Sequence, residues 1–144
     1  RELPFLKEVV LIGPSKEDFA EVEPSYQEKV RFYAKEELQA DSGENLYDFL
    51  RRLPLELPLY ISIDKDILCK EDASATWSQG DMRLQALLNG LKILLDRAEE
   101  EKGILLGVDI CGECDPAFPE GNEKNDRANE ALLKLLRRRE KDEK

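Results

Sequence analysis

Four short runs of β-branched and apolar residues, VVLIG at 9–13, VRFYA at 30–34, LYISI at 59–63 and ILLGVDI at 104–110, alternate with stretches in which apolar residues return every three or four positions. That switching between strand and helix periods predicts an α/β domain. The clearest helix follows TWSQGD, where Leu84, Leu87, Leu88, Leu91, Leu94, Leu95 and Ala98 share a face expected to pack on the sheet, with Ser78 and Asp81 helping to start it. A second helix begins near Asp41 with Glu44 as its capping partner, buries Leu46, Phe49, Leu50 and Leu53, and stops at Pro54. The last carries Ala128, Ala131, Leu132, Leu135 and Leu136 and closes in RRRE, cations that suit the negative pole of a helix dipole; residues 138–144 are expected to fray. Ser15 with Asp18 and Ser25 with Glu28 mark one or two short helical turns separated by Pro24, and the stretch EGNEKNDRANE at 120–130 is polar enough to include a mobile loop.

With right-handed crossovers, these elements predict a three-layer sandwich built on a four-stranded parallel sheet of order 2-1-3-4, with helices on both faces. One domain spans residues 1–144, since 41 % apolar content in 144 residues suffices for a single buried core. In doubly wound sheets ligands collect beyond the carboxyl ends of the strands, which brings Asp64, Asp66, Asp109 and Glu113 to one edge.

Charge and rare residues narrow the chemistry. Lys and Arg number 22 against 32 Asp and Glu, a formal charge of −10 that repels phosphate backbones and anionic membranes, so neither nucleic acid nor membrane is an expected partner. No apolar run approaches the length of a membrane span, and RELPFLKEVVLIG leads straight into a strand pattern without a signal-cleavage site, which makes cytoplasmic the expected location. Three cysteines fit a reducing compartment better than a disulfide framework. Histidine is absent, which removes Ser-His-Asp and Cys-His nucleophiles and imidazole ligands. The remaining chemistry belongs to carboxylates, thiols, Lys, Tyr and the backbone.

Asp64 and Asp66, two residues apart at a strand's carboxyl end, can approach one hard divalent cation such as Mg²⁺ or Mn²⁺. Turn chemistry offers a plainer reading, with Asp64 capping a turn and Asp66 solvated. Lys65 between them is expected to point to the opposite face and pair with surface acids. Cys111 and Cys114 form a C-x-x-C, and with Cys69 they offer a thiol or zinc site, against the simpler expectation of incidental free cysteines. Trp77 is expected to cover the apolar end of the sheet, and Gly13-Pro14 to make a turn without the glycine spacing of a dinucleotide loop.

The order SIDKDIL, then TWSQGDMRLQALL, then GVDICGECDP resembles the C-terminal half of the arginase/agmatinase (ureohydrolase) family. Ser62, Asp64 and Asp66 match a Ser-x-Asp-x-Asp motif whose aspartates bridge two Mn²⁺ ions in that family. Gly107, Asp109 and Ile110 match the next strand, with Glu113 as the candidate for the glutamate that holds a guanidinium group and Asp109 orienting substrate or ligands. The resemblance implies manganese and a small guanidino or amidino substrate whose C–N bond is hydrolysed. The specific matches are confined to 62–66 and 107–116, and the spacing to Glu113 is one residue longer than the family's. The family's histidine-bearing ligand motifs, Gly-Gly-Asp-His and Asp-x-His-x-Asp, have no counterpart here, so the chain is expected to be inactive alone. The alternative is a non-catalytic α/β scaffold or binding module, reduced or engineered, without metal. In the family a further strand lies between the third and first strands named above. Without it those two are expected to close together, and otherwise their open edges invite self-association.

Overall fold

The computed structural model describes residues 5–39, 44–76, 78–115, 117 and 119–142. All four expected strands form: β1 (Val9–Ile12), β2 (Val30–Tyr33), β3 (Leu59–Asp64) and β4 (Leu105–Cys111). Between β1 and β2 lie α1 (Lys16–Ala20) and α2 (Pro24–Gln27). Ser15 caps α1 in a reciprocal capping box with Asp18, as the sequence predicts, whereas α2 starts on Pro24 without a side-chain cap. After β2 come α3 (Lys35–Gln39), which the periodicity did not reveal, and α4 (Glu44–Arg52); Asp41, expected at the start of α4, lies outside the described residues. A 3-10 turn over Lys65–Ile67 follows β3, then α5 (Leu84–Glu100), β4 and α6 (Pro119–Asp142).

The strands do not join into the expected four-stranded sheet of order 2-1-3-4. Among the described residues β1 pairs in parallel only with β2, and β3 only with β4, giving two separate two-stranded sheets. The backbone just past β3 finds its partners in residues 80–82 instead of in β1: Gly80 N–H donates to Asp66 O at 2.7 Å, Met82 N–H to Ile67 O at 3.1 Å and Cys69 N–H to Met82 O at 2.8 Å. At the other side β1 ends at Ile12, and Gly13, at φ 110°, turns the chain away against the Ile67 side chain.

Nor do helices cover both faces throughout. On β1–β2, Phe19 of α1 stacks on Phe32 at 4.2 Å, while Tyr33 on the opposite face meets Phe49 of α4 at 5.1 Å. On β3–β4, α5 and α6 both pack against the face of Ile61, Ile63, Val108 and Ile110. The other face bears Tyr60, Ser62 and Asp64, all exposed. The two sheets are held together by α5, whose Ala86, Leu87, Ile93 and Leu94 join Tyr33, Leu46, Leu50 and Leu53 while Leu91 and Leu95 join Ile61 and Ile63. The stretch at 120–130, expected to include a mobile loop before the last helix, lies wholly within α6. Its polarity faces inward: Asn125 is fully buried, accepting from Ser74 N–H at 2.9 Å and donating to Ser74 O at 3.0 Å.

Helix α5 also starts differently from its sequence signal. Ser78 and Asp81 do not cap it; the Leu84 N–H donates to Asp72 Oδ2 at 2.9 Å, and Asp81 pairs with Lys35 at 3.2 Å. No described helix is long and apolar enough to cross a membrane.

Candidate functional site

The strand of alternating exposure that buries Ile61 and Ile63 also fixes the fate of its last residues. Asp64 falls on the open face, and Lys65, next in alternation, falls beneath the helices with no exposed surface at all. Lys65 thus lies on the opposite face and pairs with an exposed acid, as expected, although the lysine itself is fully buried. Its ammonium donates to Glu113 and, at 2.7 Å, to Asn129 Oδ1 of α6; the Asn129 amide donates to the same Glu113 Oε1 at 3.1 Å. The result is a closed triangle joining the ends of β3 and β4 to α6.

Asp64 and Asp66 lie side by side across the 3-10 turn. The Asp66 N–H donates to Asp64 Oδ1 at 3.0 Å, the turn-capping role open to Asp64 from sequence. Asp66 does not behave as a solvated loop residue: its Oδ1 is buried with no hydrogen-bond partner among the described residues. Burial, and then the neighbouring Asp64 carboxylate, push the Asp66 pKa up, with Lys65 pulling the other way. Gly112, at φ 79°, closes the turn from the β4 side, where a Cβ would sit 2.7 Å from the Lys65 nitrogen and 2.9 Å from that of Asp66. Only glycine permits so close an approach in that conformation.

Asp109 stands opposite Ser62 in the β3–β4 register, on the same open face as Asp64. The Ser62 hydroxyl donates to Asp109 Oδ1 at 2.9 Å, and the Tyr60 hydroxyl bonds to the same carboxylate, which raises the tyrosine pKa. Glu113 turns toward α6, where burial raises its pKa but the hydrogen bonds from Lys65 and Asn129 outweigh that and hold it below the usual range. Thus Asp64 and Asp66 come together, Asp109 lies lower on their face, and Glu113 is engaged elsewhere. Among the described residues no three His, Cys, Asp or Glu side chains group closely enough to hold a metal ion. Asp64 and Asp66 place two hard oxygen donors beside each other, and one oxygen, Asp66 Oδ1, is buried without a hydrogen-bond partner among the described residues.

The three cysteines are free and sit in separate environments. Cys69 lies near Asp72 and Arg83, Cys114 donates to Asn122 Oδ1 at 3.2 Å, and Cys111 donates to Ile63 O at 3.5 Å. Burial first, then Asp64, Asp109 and Asp66, push the Cys111 pKa up, which disfavours a thiolate. Trp77 lies outside the described residues.

Sequence reasoning missed Asn122, Asn125 and Asn129, which dock α6 on the loops of the site. Their spacing, three and then four residues, is the signal: it sets one face of a helix, and polar residues repeating on one face mark a polar contact as readily as leucines mark an apolar one.

No family model and no solved structure matches the chain. A protein of Thermotoga maritima named "Uncharacterized protein" is 38 % identical over 80 residues, which cover 55 % of this chain and 30 % of that relative's length.

Proposed function

We propose that the chain contributes two carboxylate ligands, Asp64 and Asp66, to a divalent-cation centre of an arginase-like hydrolase that cleaves C–N bonds in guanidino or amidino compounds. The observation that carries this reading is the buried, unpartnered Oδ1 of Asp66 beside a second carboxylate. A buried oxygen without a donor costs about 1–3 kcal/mol, more when charged, and a cation removes that cost. Bound Mn²⁺ or Mg²⁺ supplies the Lewis acidity that activates water. The chain's own part is to hold two oxygens at the end of β3, with Asp109 available on the open face to orient a cationic substrate. Two carboxylates do not cage a pair of ions, so further ligands from outside the chain belong to the complete centre, and the chain alone is inactive.

The second reading is a non-catalytic α/β module. It is favoured by the engagement of Glu113 with Lys65 and Asn129, which among the described residues leaves no third carboxylate close enough to share a cation with the pair.

Calorimetric titration with Mn²⁺, with urea release from arginine and agmatine measured in parallel, separates the two. Millimolar binding of one ion by the parent chain, lost in Asp66→Asn and without turnover, is the expected result. Heat-silent titration throughout the millimolar range would leave the non-catalytic module standing.

A further inference from the structure

Asp64 caps the 3-10 turn and Asp66 lies within it, and the side chain between them, Lys65, is locked beneath a helix. Lys65 is fully buried, and its partners come from two other elements, Glu113 after β4 and Asn129 on α6. The same turn is pinned on its backbone by Gly80 N–H donating to Asp66 O at 2.7 Å and by Gly112 lying against the Lys65 and Asp66 nitrogens. The β3–β4 ladder, which runs to Asp64 opposite Cys111, already sets the face on which Asp64 lies. The anchored lysine adds a side-chain tie from the following turn to Glu113 after β4 and to Asn129 of α6, and so holds in place the turn in which the Asp66 Oδ1 is buried.

We propose that Lys65 is a positioning residue for the Asp64–Asp66 pair, and that Glu113 serves as its counter-ion and not as a ligand for cation or substrate. The assignment rests on the cation reading given above and adds to it the device that orients the two oxygens. Lys65 itself touches neither substrate nor cation. Its ion pair stabilises little in net terms, because the attraction of the buried ammonium to a carboxylate that is 57 % exposed is screened by solvent and offset by desolvation of the lysine, so an apolar replacement of both partners leaves stability similar. What such a replacement takes away is direction.

That difference supplies the test. Mn²⁺ is paramagnetic and broadens the NMR signals of nearby amides even when it binds weakly, so its concentration dependence at residues 64–66 reports binding at this turn. The double variant Lys65→Met/Glu113→Leu leaves the net charge unchanged. It is expected to unfold at a similar temperature, yet to need at least about fivefold more Mn²⁺ for the same broadening, roughly 1 kcal/mol of binding. In the metal-free state its Asp66 amide should exchange at least about fivefold faster, again roughly 1 kcal/mol of local opening, while β2 amides keep their rates. Glu113→Gln retains an acceptor for Lys65 and should shift the Mn²⁺ requirement by less than about threefold, whereas Asp66→Asn abolishes the broadening. Parent-like Mn²⁺ dependence in the double variant would overturn the positioning role, and a loss in Glu113→Gln as large as in Asp66→Asn would make Glu113 a ligand. If the parent shows no broadening at 64–66, the cation reading fails, and an unchanged Asp66 exchange rate in the double variant would then sink the positioning role by itself. Should the double variant not fold, Asn129→Ala, which removes a bridge without a charge change, replaces it in both measurements with the same criteria.

Discussion

Glu113 and Asp66 sit two bonds of contact apart through Lys65, yet their carboxyl groups respond to folding in opposite directions. Glu113 is held below its ordinary value, so its charged form favours the fold: that stabilisation is complete above the unfolded pKa of about 4.3 and disappears as pH falls through the lowered folded value. Asp66 is held above its ordinary value and contributes the reverse, a loss of stability as pH rises from about 3.9 through the raised value. Glu113→Gln is therefore expected to lower stability at neutral pH, with the gap to the parent closing below about pH 4. The Glu113 side chain is 57 % exposed, so solvent screening keeps the gap under about 1 kcal/mol. Urea unfolding at stepped pH measures it, and a gap that widens on acidification would contradict the assignment. At this scale Asp64 and Asp66 were legible in the sequence because a strand end is a local feature. The burial of Lys65 was legible only as a face, since its partners at 113 and 129 depend on which elements lie beside β3.

Among the elements, α6 departs most from what its sequence suggests. Residues 120–130 look like loop because a helix docked through polar groups lacks the apolar period that marks one docked through leucines. In the structure the polar half of α6 is the part that meets the site, and the apolar half, with Leu132 fully buried and Leu135 and Leu136 beside it, covers β3–β4. Asn125 carries the polar contact, occupying both the N–H and the C=O of Ser74. Its removal in Asn125→Ala leaves two backbone groups without partners in a buried place. The expected cost is about 2–6 kcal/mol, at about 1–3 kcal/mol for each orphaned group. The thermal midpoint should fall accordingly, and the Ser74 amide should lose its exchange protection. A midpoint within a degree of the parent would show that water replaces the asparagine at no cost. The start of α5 teaches the same point, for its first N–H is capped by Asp72, twelve residues upstream, and no local capping signal could announce it.

Across the whole molecule, one helix replaces the missing sheet continuity. Leu87 of α5 touches the cluster of β2 and α4, the cluster of β3 and α6, and the cluster of Leu68, Ala73 and Ala128. Two sheets with no ladder between them should therefore still unfold together, and Leu87→Ala should weaken both at once by about 2 kcal/mol. Hydrogen exchange read at β2 and β4 amides across a denaturant series checks this; separate transitions in the parent would mean that α5 does not couple them. The sequence by itself determined the four strands, the leucine helix, the α4 core residues and the two aspartates at the end of β3, because each is written in a local period or at a local boundary. The tertiary structure alone decided that β1 and β3 stay apart, that one face of β3–β4 is left open, and that Lys65, Glu113 and Asn129 meet. Strand pairing and buried charge contacts join residues many positions distant, and their geometry follows from how the helices fill the space between sheets, which no short stretch of chain encodes.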